Sequence, residues 1–233
     1  MGNHIHLLVW VDDAQAARIR LAAVVSGIAR QAGMRGRIWQ PVGKAEPIAS
    51  TKLGAQVRYI ALNPCRADLT NDPLAWVWST HRDVVGASVD PWVTADRLAA
   101  ALGQTAVGFA RNHHRFVSDD AKARTGGTPF PLSAPMVELS ELPLARIAAA
   151  ARAALRAENR DIKLKMPARR LFVQLAIEQG WTSPCVLKQA IGASRSAVWR
   201  LARSPDEAAL SAGRLCLGDE RLRFGLDSGA RSE

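Results

Sequence analysis

The chain has one tyrosine, three cysteines and fewer acidic than basic residues, and each scarcity removes a class of protein. Cys65, Cys185 and Cys216 are odd in number and far apart, so neither a disulfide framework nor a zinc-ligand spacing follows from them. Their expected role is that of small buried hydrophobes. No apolar run reaches the roughly 18 residues of a transmembrane helix. The first residues, Met1-Gly2-Asn3-His4, lack the basic and apolar segments of a secretory signal. His6 stands where a myristoylation motif wants Ser or Thr. These absences lead us to expect a cytoplasmic protein that does not engage a membrane.

What is present is positive charge and enough apolar side chain for a core. Lys and Arg number 31 against 21 Asp and Glu, a formal net charge of +10 over 233 residues, and 48% of the chain is hydrophobic. Arginine supplies most of the positive charge, and its planar fork suits phosphate. A field of this sign favours a polyanion, although charge alone does not separate nucleic acid from a merely basic protein.

Asn3 to Val11 alternates as a strand, apolar on both faces apart from the histidines, which predicts a buried strand within a sheet. Asp12 and Asp13 are N-cap candidates for a helix over Ala14–Gln31 that ends at Gly33, with Ile19, Ala22, Ala23, Ser26 and Gly27 forming a close-packed face. A second helix is expected over Thr51–Leu62, stopping ahead of Pro64. Further helices are expected over Thr94–Leu102 and Ala106–Phe116. Ser118–Pro135 carries Gly126-Gly127 and three prolines, the composition of a linker. Beyond it the pattern is helical: Pro143–Glu158, Ala168–Gln179, Pro184–Ile191 closing on Gly192, and Ser194–Arg203 on a serine cap.

Three patterns carry chemistry. His4-Ile5-His6 on a strand sends both imidazoles to one face, with Ile5 turned into the core, a half-site for a divalent metal. Taken alone, the pair is more often a surface or satisfied structural couple. In Arg58-Tyr59-Ile60-Ala61-Leu62-Asn63-Pro64, Asn63 sits one helical turn past the sole tyrosine, where its carboxamide could ligate a metal beside a phenol nucleophile. A half-buried aromatic followed by an Asn-Pro helix stop accounts for the same residues structurally. Leu171–Arg203 has the pattern of a helix-turn-helix: Val186–Ile191, the Gly192 turn, then a recognition helix from Ser194. Ser194, Arg195, Ser196 and Arg200 form its exposed set, Arg195 the leading candidate for a base contact, while Ala197, Val198 and Leu201 face inward. A plain helical bundle is the alternative for this segment.

Together these motifs resemble a family. Met1 to Val9 is similar to the Met-Pro-Asn-His-(Val/Ile)-His-Leu-Leu stretch of the REP-associated tyrosine transposases, relatives of the single-tyrosine insertion-sequence transposases in the HUH superfamily. Tyr59 to Leu69 resembles that family's Tyr-Ile-x-x-Asn-Pro-x-Arg-Ala-x-Leu, and Pro73, Trp76, Trp78, Ser79 and Thr80 its following proline–tryptophan–serine element. Trp39, Gly86 and Val89-Asp90 also fit. The resemblance covers about residues 1–118.

The resemblance implies that His4, His6 and Asn63 ligate Mg²⁺ or Mn²⁺ and that Tyr59 attacks a phosphodiester of single-stranded or hairpin DNA. A 5′-phosphotyrosine link forms and a 3′-hydroxyl is freed. The family fold places a strand and a helix ahead of the His-x-His strand, and this sequence opens at the motif. The expected class is therefore α+β: an incomplete ferredoxin-like HUH domain with an antiparallel sheet over 1–118, a linker over 119–140, and an all-α helix-turn-helix domain over 141–228. The last of these is similar to the helical DNA-binding domain of replication initiators, with duplex DNA as its expected partner. A monomer or homodimer is expected. The alternatives are a catalytically inactive remnant that only binds DNA, and a metalloenzyme of other substrate using His4 and His6.

Overall fold

The computed structural model describes residues 5–33, 39–43, 45–120, 142–156, 166–203 and 205–224. Every regular element among them is a helix, and no strand or sheet occurs. This overturns the α+β expectation. The segment from Ile5 to Val11 is non-helical and carries no strand pairing, and Ile5, Leu7, Val9 and Val11 are exposed, with Trp10 at 83%. A strand exists only through hydrogen bonds to a neighbour, and no described residue supplies that ladder. Apolar alternation marked a segment able to pair but could not supply the partner. Ile5, expected in a core, is solvent-facing.

The chain divides into two compact bodies, His4–Val57 and Arg58–Glu233. In the first, α1 (Ala14–Gln31) begins where expected: the Asp13 carboxylate accepts hydrogen bonds from the backbone N–H of Gln15 (2.8 Å) and Ala16 (3.0 Å). Gly33 lies beyond its end with φ +67°, a left-handed conformation that glycine adopts without strain. No residue of α1 is buried, so its expected close-packed face is not formed among the described residues.

Helix α2 (Ser50–Arg66) outruns its expected end and passes through Pro64. Proline cannot donate to the carbonyl one turn back, which favours termination there. Five consecutive buried residues, Ala61 to Cys65, hold this turn in place, and the Asn63 and Pro64 carbonyls accept from Ala67 N–H and Leu69 N–H at 3.0 Å each. Ala61 and Leu62 pack on Val117 of α5 (Phe109–Ser118). A 3₁₀ turn at Pro73–Ala75, α3 (His81–Val84) and α4 (Ala95–Ala101) lie between α2 and α5. Val84, Ala99 and Phe109 form a small core joining α3, α4 and α5.

The main core comes from α6 (Leu144–Ala154), α7 (Met166–Glu178), α8 (Pro184–Ile191), α9 (Arg195–Ala202), α10 (Glu207–Gly218) and α11 (Glu220–Phe224). Alanines 150, 151, 153 and 154 let neighbouring helices approach α6 closely. Gly213 does the same for α10: a Cβ there would lie 2.9 Å from the Leu175 Cδ1 of α7.

Most of the expected linker over 119–140 falls outside the described residues. Segments on either side of it nonetheless share one core, since Leu74, Val85 and Ala87 pack with α6, α7 and α10 residues. Fully buried Arg82 ties them further, its guanidinium donating to the Leu222 carbonyl (2.8 Å) and the Leu74 carbonyl (3.3 Å). Buried Asp83 accepts from Arg156 and from the Trp92 N–H (3.1 Å).

Candidate nucleic-acid interface

Helices α8 and α9 make a helix, turn and helix built from locally readable signals. Pro184 opens α8, where its fixed φ suits the first turn and its missing N–H has no intrahelical partner to lose. Gly192 closes α8 at φ 59°, ψ 43°, and the Ala193 N–H returns to the Lys188 carbonyl at 3.1 Å. Ser194 then caps α9, its hydroxyl accepting from the Ala197 N–H at 3.2 Å. Residues 192–194 alone separate the two helices, the short glycine turn that such a motif uses.

Val198 and Leu201 bury one face of α9 in the main core, with Ala197 half-buried beside them. Gln174 of α7 donates through its amide nitrogen to the Leu201 carbonyl at 3.1 Å, fixing the end of α9 on its support helix. The opposite face is open. Ser194, Arg195, Ser196 and Arg200 are all exposed, and so are Arg203 and the indole of Trp199, which is 52% exposed. Sequence reasoning named the first four and passed over Trp199, whose i+3 spacing from Ser196 put it on that face. Arg195 donates to the Cys185 thiol at 2.8 Å, which sets its guanidinium against α8. Residues 184–203 include Lys188, Arg195, Arg200 and Arg203 and no Asp or Glu, so the surface is cationic throughout. A protruding, rigidly seated helix with this face can meet phosphates and base edges together.

The residues expected to carry catalysis are placed differently. Tyr59 lies on α2, 42% exposed, with the Arg66 guanidinium 5.0 Å above its ring. Arg58 sits 4.5 Å over the Phe116 ring, and Asp120 lies 3.8 Å from Arg58 and 3.4 Å from Arg66. Asn63, one turn beyond Tyr59, is only 8% exposed, and its Nδ2 is buried without a hydrogen bond. His4 lies outside the described residues, and His6 is half-buried in the other body. Among the described residues, no group of three or more His, Cys, Asp or Glu side chains could hold a metal ion. The expected ligand set, which includes His4 and Asn63, is not covered by that observation.

Two cysteines match their expected role and one does not. Cys65 and Cys216 are buried and Cys185 is exposed. Burial, with Asp72 nearby, pushes the Cys65 thiol up to about 12, and burial raises Cys216 as well, so both stay protonated and inert.

Sequence reasoning also missed a buried cluster of three imidazoles, His81, His113 and His114. His81 Nε2 lies 3.1 Å from His114 Nδ1, and the His81 ring centroid is 5.4 Å from that of His114 and 5.5 Å from that of His113. His113 stacks on Phe109 at 5.4 Å. The available signal was the i, i+4, i+8 series Phe109, His113, Val117, which puts His113 on the apolar stripe of α5. Burial pulls His81 well below the ordinary imidazole range and His113 to about 4, each aided by its neighbouring ring.

No described helix is long and apolar enough to cross a membrane. No protein-family model, curated protein or solved structure matches the chain.

Proposed function

We propose that this chain binds DNA by laying α9 into a groove, with Arg195, Ser194 and Ser196 directed at base edges and Arg200 at a phosphate. One observation carries the reading: α9 is held by its apolar face on α7 and α8 while its free face bears arginines and hydroxyls without an acidic residue. Arginine at such a position can make a bidentate contact to guanine, and serine hydroxyls reach bases or phosphates.

Selection of a preferred duplex from a random-sequence pool, followed by anisotropy titration, tests this. Arg195→Ala is expected to weaken the selected site by about 1–3 kcal/mol and to relax preference at one base pair. Arg200→Ala is expected to weaken all duplexes alike and to lower the salt slope by about one. Absence of duplex binding at low salt, or undiminished binding by a variant carrying both Arg195→Ala and Arg200→Ala, overturns the proposal.

A second reading, DNA nicking and joining, is favoured by the exposed Tyr59 side chain with the Arg66 guanidinium over its ring. The phenol oxygen would attack phosphorus, form a 5′-phosphotyrosine bond and release a 3′-hydroxyl. Incubation with a 3′-end-labelled single-stranded hairpin and Mg²⁺ is expected to give a denaturation-resistant adduct that Tyr59→Phe abolishes. Binding without an adduct leaves DNA recognition as the sole activity.

A further inference from the structure

We propose that Trp199 is a stacking platform and that the DNA preferred by α9 is a duplex carrying an unpaired base. The inference rests on the DNA-binding reading of α9 and names its substrate more narrowly. Ser196, Trp199, Arg200 and Arg203 follow one another at i, i+3, i+4 and i+7, a single stripe of the helix. The indole is therefore central to the exposed face and lies away from the apolar face through which Val198 and Leu201 seat the helix.

The fold uses only part of this large apolar ring, because half of it stays in water. Nor can it read a base edge as arginine or asparagine does, since its single N–H offers one donor and no acceptor. What it offers is a flat π face among guanidinium groups. The surrounding charge repels a cationic partner and draws a polyanion, and nucleic acid is the polyanion whose own rings can lie on an indole.

In an intact duplex those ring faces are covered by neighbouring base pairs, and uncovering one costs a few kcal/mol. At an unpaired nucleotide that cost has already been met, so stacking adds to affinity directly, by about 1–3 kcal/mol per base. The arginines supply the general attraction, and the indole supplies the discrimination.

The test compares a duplex containing one unpaired thymine with the fully paired duplex of the same flanking sequence. Four forms of the full chain are titrated: wild type, Trp199→Ala, Trp199→Phe and Arg195→Ala/Arg200→Ala. Wild type is expected to favour the unpaired-base duplex by about tenfold. Trp199→Ala should remove that preference while paired-duplex affinity stays within about twofold, and Trp199→Phe should keep most of the preference. The double arginine variant should lose affinity for both duplexes alike. Equal affinity of wild type for the two, or an equal loss on both with Trp199→Ala, overturns the stacking role and leaves the α9 reading standing. Undiminished binding by the arginine variant overturns the α9 reading, and the stacking role with it. Circular dichroism of each surface variant is expected to match that of wild type.

Discussion

Replacing Arg82 with alanine is expected to lower the unfolding free energy by about 3–5 kcal/mol, the combined effect of buried acceptors left without a donor and of a cavity. The side chain is fully buried, and its two terminal nitrogens donate to the carbonyls of Leu222 and Leu74 and to the Cys216 thiol at 3.8 Å. Burial works against its charge and lowers its pKa. The guanidinium is tolerated because it satisfies groups that have also lost water. Alanine would strand two buried carbonyls and leave a cavity the length of the lost side chain, two penalties acting in the same direction. Arg82→Met refills most of the volume but supplies no donor, so its loss should be smaller and should isolate the hydrogen-bonding share. Urea unfolding followed by circular dichroism reads both. A loss below about 1 kcal/mol would mean that water replaces the guanidinium. DNA binding by the folded variant should be unchanged, because α9 hangs from α7 through Gln174 and Leu201 and not from α3.

The parts of this architecture legible in the sequence are those whose determinants lie within a few residues of one another. Asp13 fixed the start of α1, and Pro184, Gly192 and Ser194 fixed α8, the turn and the start of α9, because caps and helix stops are local chemistry. The exposed set on α9 followed from the same periodicity. Pro64 misled because a local breaker was outweighed by burial of the whole turn around it. The opening segment misled for a different reason. Whether an alternating apolar stretch becomes a strand depends on a partner elsewhere in the chain, and alternation carries no information about that partner. The clasp made by Arg82 was equally hidden, since it joins residues 140 positions apart. The histidine cluster was obscured by composition: a reading that looks for leucine and valine in a core passes over imidazoles on the same face.

That cluster sets the pH behaviour of the folded chain. His81 Nε2 and His114 Nδ1 face each other at 3.1 Å, so one proton can be shared between them but not two. His81 Nδ1 is buried and has no hydrogen-bond partner, so a second proton on that ring would point an N–H at nothing. The neutral form, with the Nε2 proton directed at His114, satisfies the geometry. His113 adds a third ring that burial and His114 also keep neutral, down to about 4. The sign follows from the order of protonation. An unfolded imidazole takes up its proton near 6.5, before the folded one can, so acid favours the unfolded chain. Stability is complete above that value and is lost as the pH falls from there towards about 4. His113 alone is expected to remove about 2 kcal/mol between roughly pH 8 and pH 5, and His81 adds to it in the same direction. Thermal melts across that range should show Tm falling with acid. His113→Phe, which extends the apolar stack on Phe109, should flatten the fall without abolishing it. A Tm constant from pH 8 to pH 5 would require the rings to accept protons while folded, which the unpartnered Nδ1 of His81 opposes.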